Sequence, residues 1–123
     1  IYSVVAEKFE AIVSLGVGNT RMKDFYDLWF LSRRFVFDGN ILNEAMRATF
    51  ERRRIILTGE LLPFTAEFIG DADRNAQWRA FLARNGLKGP PDQFPALMAA
   101  LHEFLDPARR PIGLRWQPGA GWI

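Results

Sequence analysis

The sequence predicts an all-α protein, a compact bundle of about five or six helices followed by an extended tail. Apolar residues recur at the 3.6-residue spacing of a helix along most of the chain. Glycine, proline and asparagine interrupt this pattern at points typical of helix ends. The 123 residues, 49% of them hydrophobic, are enough for one core. We therefore interpret residues 1–123 as a single helical domain.

The composition excludes several classes of protein. The absence of cysteine excludes disulfides and thiolate metal sites, and it fits a reducing compartment such as the cytoplasm, where we expect the protein to act. A net charge of +2 is too small to indicate nucleic-acid binding by itself. No apolar run approaches the roughly 18 residues of a membrane span, so no membrane partner is expected.

The first residues suggest that the sequence is part of a longer protein. The chain starts with Ile1 rather than methionine and enters a helical pattern almost at once. We expect a fragment whose N-terminal half is missing.

Two helices are predicted in the first third of the chain. Residues 2–15 have a helical apolar pattern that Gly16 and Gly18 end. A second helix is predicted from Thr20, whose hydroxyl can cap free backbone N–H groups, to about Phe37.

A third helix is predicted after the break at residues 38–40. Asn40 can act as its N-cap, and the pattern continues to about Arg54. Residues 55–59 are expected to be extended or a linker.

The remainder is predicted to hold shorter helices and the tail. Helical segments are expected at 65–69, from Asp71 or Asp73 to about Asn85, and at 93–105. Residues 107–123 are rich in proline, glycine and tryptophan. We expect the two tryptophans of this tail to dock on the helices, because exposed tryptophan is costly.

The second helix places two carboxylates on the side that should face the core. One stripe at helical spacing consists of Asp24, Asp27, Leu28, Leu31 and Phe35. An unpaired buried charge costs several kcal/mol or more. The two aspartates should therefore point inward and meet basic side chains.

Three cations are candidates for this pairing. Arg21 and Lys23 precede the aspartates within one turn, and Lys8 lies on the first helix. Two explanations of Lys8 stay open: it is a solvated surface lysine between Glu7 and Glu10, or it lies at the edge of an active cleft.

Asp24 and Asp27 also allow a purely structural interpretation. Asp24 would then interact with the helix dipole, and Asp27 would pair with Lys23 or Arg34.

Two other features have simple explanations. The run Arg52–Arg54 suits the negative end of a helix dipole, and a phosphate-binding patch is the alternative. His102 is the only histidine, and without cysteine or a second histidine it cannot form a usual zinc site, so we interpret it as structural.

Two short segments resemble a known family. AEK at 6–8 and RMKDFYDL at 21–28 are similar to two motifs of the AbiEii/AbiGii family of nucleotidyltransferase-like toxins. There an EK motif on one helix precedes an R-x-K/R-D-x-x-D motif on the next. The rest of the chain resembles the helical C-terminal half of that family, which follows an α/β nucleotidyltransferase core.

The resemblance implies a function and a set of site residues. Family members transfer a nucleotide from NTP to an acceptor, tRNA in some cases, or are paired with an antitoxin. The family motifs place catalytic roles on Lys8, Asp24 and Asp27, and substrate binding on Arg21 and Lys23. Which aspartate acts as the functional carboxylate stays open.

The resemblance also implies Mg²⁺, with its main ligands outside this chain. The full-length protein would then be the enzyme, and we expect residues 1–123 alone to be inactive.

A different class of function is the alternative. The chain could be a non-catalytic helical interaction module whose Asp/Arg/Lys cluster is structural. It could also bind RNA through Arg47, the Arg52–Arg54 run and the tail tryptophans.

Overall fold

The all-α prediction is confirmed by a computed structural model, which describes residues 1–14 and 21–123. Within these residues there are six helices: α1 Tyr2–Ser14, α2 Met22–Arg34, α3 Gly39–Arg53, α4 Ala66–Ile69, α5 Ala72–Arg84 and α6 Phe94–Leu105. Short 3-10 turns cover Leu62–Phe64 and Pro107–Arg109. None of the helices in this part of the chain is long and apolar enough to cross a membrane.

Helix α1 lies between α2 and α3 and joins them. Its side chains Val5, Phe9 and Ile12 are fully buried, and they share one side of the helix because they recur every three or four residues. Phe9 packs against Phe50 of α3 with 5.3 Å between ring centroids. The first three helices therefore form one packed unit.

Helix α6 closes the other side of the core. It is apolar around much of its circumference, and it packs against α2, α4 and α5. Phe94 meets Phe25 of α2 edge to face, with 5.5 Å between centroids. Trp78 of α5 is also fully buried, and its indole N–H donates to the Pro91 carbonyl at 2.9 Å.

Of the N-caps predicted within the described residues, that of α5 is confirmed and that of α3 is wrong. The Asp71 carboxylate accepts from the Arg74 N–H at 2.9 Å and caps α5. The Asp38 carboxylate, not Asn40, caps α3 by accepting from the N–H groups of Asn40 and Ile41. The prediction of Asn40 as the N-cap is wrong because α3 begins at Gly39, so Asn40 lies within the helix and Asp38 is the residue that precedes it. Thr20, Gly16 and Gly18 lie outside the described residues.

A small antiparallel sheet was not predicted. Strands β1 Phe37–Asp38, β2 Arg115–Gln117 and β3 Gly121–Trp122 pair in the order β1-β2-β3. The predicted extension of the second helix to Phe37 is therefore wrong, because α2 ends at Arg34 and Phe35 already has extended backbone angles. Phe35 consequently leaves the buried stripe and is exposed.

The tail docks on the helices as expected. The Trp116 indole N–H donates to the Ser32 carbonyl at 2.7 Å, and the ring contacts Phe104 at 4.9 Å between centroids. Trp122 stacks nearly parallel to the Phe104 ring, with 6.4 Å between centroids. The sheet thus ties the chain end to α2 and α6.

Candidate functional site

The predicted site residues come together where α1 meets α2. Lys8 lies at the edge of the buried stripe of α1, so its side chain reaches across to α2 instead of into the core. Asp24 and Asp27 lie one turn apart on α2 and face this side chain. The expectation that the two aspartates point inward toward basic side chains is met by this geometry.

Lys8 is shared between both aspartates. Its Nζ lies 2.9 Å from Asp27 Oδ2 and 3.6 Å from Asp24 Oδ1. The Lys8 side chain is only 28% exposed. Glu7 and Glu10, its sequence neighbours, are not its ion-pair partners among the described residues.

Asp27 is held by two lysines at once. Lys23 Nζ donates to Asp27 Oδ2 at 2.8 Å, the pairing that the spacing of four residues allows. Burial would raise the pKa of Asp27, but the hydrogen bonds from Lys23 and Lys8 outweigh it and hold that pKa below its usual value. The same Asp27 hydrogen bond, followed by its charge, raises the pKa of Lys23. The alternative partner Arg34 instead lies over the Phe30 ring.

Asp24 is the more deeply buried carboxylate and is less completely paired. Its side chain is 8% exposed, with Oδ2 3.4 Å from Arg21 Nε. Oδ2 has no solvent contact and no hydrogen-bond partner among the described residues. Carboxylate oxygens in such surroundings normally accept hydrogen bonds, so this oxygen has capacity for a donor.

A pocket of about 340 Å³ opens beside the pair. It is lined by Glu7, Lys8, Glu10, Ala11, Ser14, Arg21, Asp24 and Arg53. Asp27 and Lys23 are not among its lining residues. The five predicted site residues therefore divide into three that line the pocket and two, Asp27 and Lys23, that do not.

Two features of this site were not predicted from the sequence. Glu7 binds both Arg52 and Arg53 at the end of α3, with Arg53 Nη2 3.1 Å from Glu7 Oε2. Glu10 is a largely buried carboxylate in the pocket wall. No local pattern could have paired residue 7 with residues 52 and 53, because the contact depends on the packing of α1 on α3.

The described residues do not form a metal site by themselves. They contain no group of three or more histidine, cysteine, aspartate or glutamate side chains arranged to hold a metal ion. Asp24 and Asp27 already face the Lys8 ammonium, which occupies the position a cation would take. His102 contacts Phe64 edge to face and lies 3.6 Å from Asp106, which fits its structural interpretation.

The comparison with known families agrees with the two motif segments. The family model described as "Nucleotidyl transferase AbiEii toxin, Type IV TA system" matches residues 1–103. That range contains both motifs and extends into α6. No curated protein and no solved structure matches the chain.

Proposed function

The chain belongs to the AbiEii family of nucleotidyltransferase toxins of type IV toxin–antitoxin systems, and from this premise we propose its role in the reaction. It forms the helical lobe of a toxin that transfers a nucleotide from NTP to an acceptor such as tRNA, in the cytoplasm and under control of a cognate antitoxin. The observation that carries the proposal is the Lys8 ammonium shared by Asp24 and Asp27 at the edge of a pocket.

The two aspartates have different roles in this proposal. Asp27 holds Lys8 and Lys23 in place, and its lowered pKa makes it a weak proton acceptor. Asp24 lines the pocket and has an oxygen without a hydrogen-bond donor among the described residues. Asp24 therefore positions the acceptor hydroxyl and accepts its proton.

The cations act on the phosphates. Lys8 and Arg21 line the same pocket and neutralise charge on the triphosphate, while Lys23 supports Asp27 and extends the positive surface. The acceptor oxygen attacks the α-phosphorus, the bond to the pyrophosphate oxygen breaks, and pyrophosphate leaves. The hydroxyl proton passes to the Asp24 carboxylate.

None of these roles is assigned to magnesium, because the described residues contain no group of three or more carboxylate, histidine or cysteine side chains that could hold it. We expect Mg²⁺, as the family implies, to be held by residues outside this cluster.

The test compares Asp24→Asn and Lys8→Ala with an exposed control, Asp92→Asn, in the full-length toxin. Transfer of labelled nucleotide is expected to fall at least about 100-fold in the first two variants and to stay unchanged in the control. Growth inhibition should be lost in parallel. Full transfer by both Asp24→Asn and Lys8→Ala would refute the proposal.

A structural role for the cluster is the second candidate, and the joining of α1 to α2 through Lys8 favours it. Melting temperatures separate the two. A large decrease in the melting temperature of Asp24→Asn, with normal nucleotide transfer by the protein that remains folded, indicates a structural role. An unchanged melting temperature with lost transfer indicates catalysis.

A further inference from the structure

One side chain that lines the pocket comes from α3, outside both family motifs. Arg53, at the end of α3, lines it together with Lys8 and Arg21. Its Nη2 lies 3.1 Å from Glu7 Oε2, while Arg52 binds the other oxygen of the same carboxylate. Glu7 therefore holds the end of α3 against α1 and keeps Arg53 at the rim of the pocket.

Arg53 retains more unused hydrogen-bond donors than the motif lysines. The Lys8 ammonium is engaged by two aspartates, and the Lys23 ammonium by Asp27. Within the described contacts, Arg53 uses one nitrogen for Glu7, and a guanidinium carries five N–H donors. About half of its side chain is exposed, so the remaining donors can reach a ligand.

The charge of the pocket is balanced and is compatible with an anionic ligand. Its lining has as many basic as acidic side chains, and Arg52 adds a positive charge beside Glu7. The carboxylates of Glu7 and Asp24 are already next to cations. The Arg53 side chain, with most of its donors unused, is a guanidinium, whose planar fork matches phosphate oxygens.

We propose that Arg53 is a phosphate-binding residue of this pocket, acting together with Lys8 and Arg21 on one polyphosphate group. This deepens the proposed function and rests on it for the identity of the ligand as a nucleotide. It adds a residue from α3 to a site that the motifs place on α1 and α2 alone.

Titration of the 123-residue chain with inorganic tripolyphosphate at low ionic strength tests the proposal. The unchanged chain is expected to bind, and Arg53→Ala to bind about tenfold more weakly, as loss of a charge-assisted contact implies. Arg53→Lys keeps the charge and loses the fork, so its affinity should be intermediate.

Two arginines of the same helix serve as matched controls. Arg52→Ala removes the other arginine that binds Glu7, and Arg52 does not line the pocket. Arg47→Ala removes an exposed arginine of α3. Each is expected to change the affinity less than about twofold.

Three results would overturn the proposal: no binding by the unchanged chain, unchanged binding by Arg53→Ala, or equal losses in Arg47→Ala, Arg52→Ala and Arg53→Ala. The last result would indicate a general basic surface. The titration measures no nucleotide transfer, so failure of the proposed activity and failure of this binding site are observed separately.

Discussion

Lys8 Nζ and Asp27 Oδ2 are 2.9 Å apart and connect α1 to α2. This contact is less exposed to solvent than an ordinary surface ion pair, because Lys8 also faces the buried Asp24 and is itself mostly covered. The same contact supports both the catalytic and the structural interpretation of the site. Its energetic contribution can be measured independently of activity.

Replacement of Lys8 by methionine is expected to lower the free energy of unfolding by about 1 to 3 kcal/mol. The substitution removes one cation beside Asp24, whose carboxylate is more than nine-tenths buried. Urea denaturation measures the change. Lys23→Met is the control and should cost less than about 1 kcal/mol, because the Lys23 side chain is 75% exposed. Equal losses in the two variants would contradict the central position of Lys8.

The stability should depend on pH through Asp27. Because the folded pKa of Asp27 is lowered from 3.8, its ionised form stabilises the protein above that pH, and this stabilisation is lost as the pH falls through the folded pKa. The advantage of the unchanged chain over Asp27→Asn should therefore shrink in urea titrations below about pH 4. An advantage that stays constant down to the acid transition would argue against the pairing.

Lys23 should give the opposite dependence at alkaline pH. Its folded pKa is raised from 10.5, so its contribution is complete below that pH and is lost as the pH rises through the folded pKa. The small stability difference between the unchanged chain and Lys23→Met should vanish there in urea titrations. Since Lys23 is largely exposed, high salt should reduce the same difference at neutral pH.

The tail contributes to stability mainly through Trp116. Trp116→Phe leaves the Ser32 carbonyl without its buried donor and should cost about 1 to 3 kcal/mol. Trp122→Phe should cost less than about 1 kcal/mol, because its bond to the Phe104 carbonyl is longer, at 3.2 Å, and partly exposed. Chemical denaturation of both variants compares them, and a larger loss for Trp122→Phe would contradict this order.

Gly39 is required by a close approach and not by an unusual backbone angle. A Cβ at this position would overlap Ile112 and lie 2.8 Å from the Leu114 carbonyl oxygen, which also accepts the Gly39 N–H. Gly39→Ala is expected to lower the melting temperature and to cost about 1 to 3 kcal/mol. Gly113→Ala, whose Cβ would meet open space, is the matched control and should be neutral within about 1 kcal/mol. Similar melting temperatures for the two variants would refute the argument.

Much of the helical structure could be predicted because its determinants are local. Helical periodicity and the cap at Asp71 depend on residues within one or two turns. The sheet could not be predicted in this way. Its strands have two or three residues, too few to show a period, and Phe37 pairs with Trp116 from the far end of the chain.

The arrangement of the candidate site was likewise predictable only where it depends on the spacing of residues within one segment. The motif spacing brought Asp24 and Asp27 onto one side of α2, and burial then required a cation such as Lys8. The contact of Glu7 with Arg52 and Arg53 depends on how α1 and α3 pack, which no spacing within a segment specifies. Only the three-dimensional arrangement reveals this contact.

Two adjacent residues of α1 form ion pairs with different helices: Glu7 pairs with α3 and Lys8 pairs with α2. Any turn of α1 about its axis would strain both attachments simultaneously. The two ion pairs therefore couple the orientation of α1 to the positions of Lys8 and Arg53, the two cations that α1 and α3 contribute to the pocket.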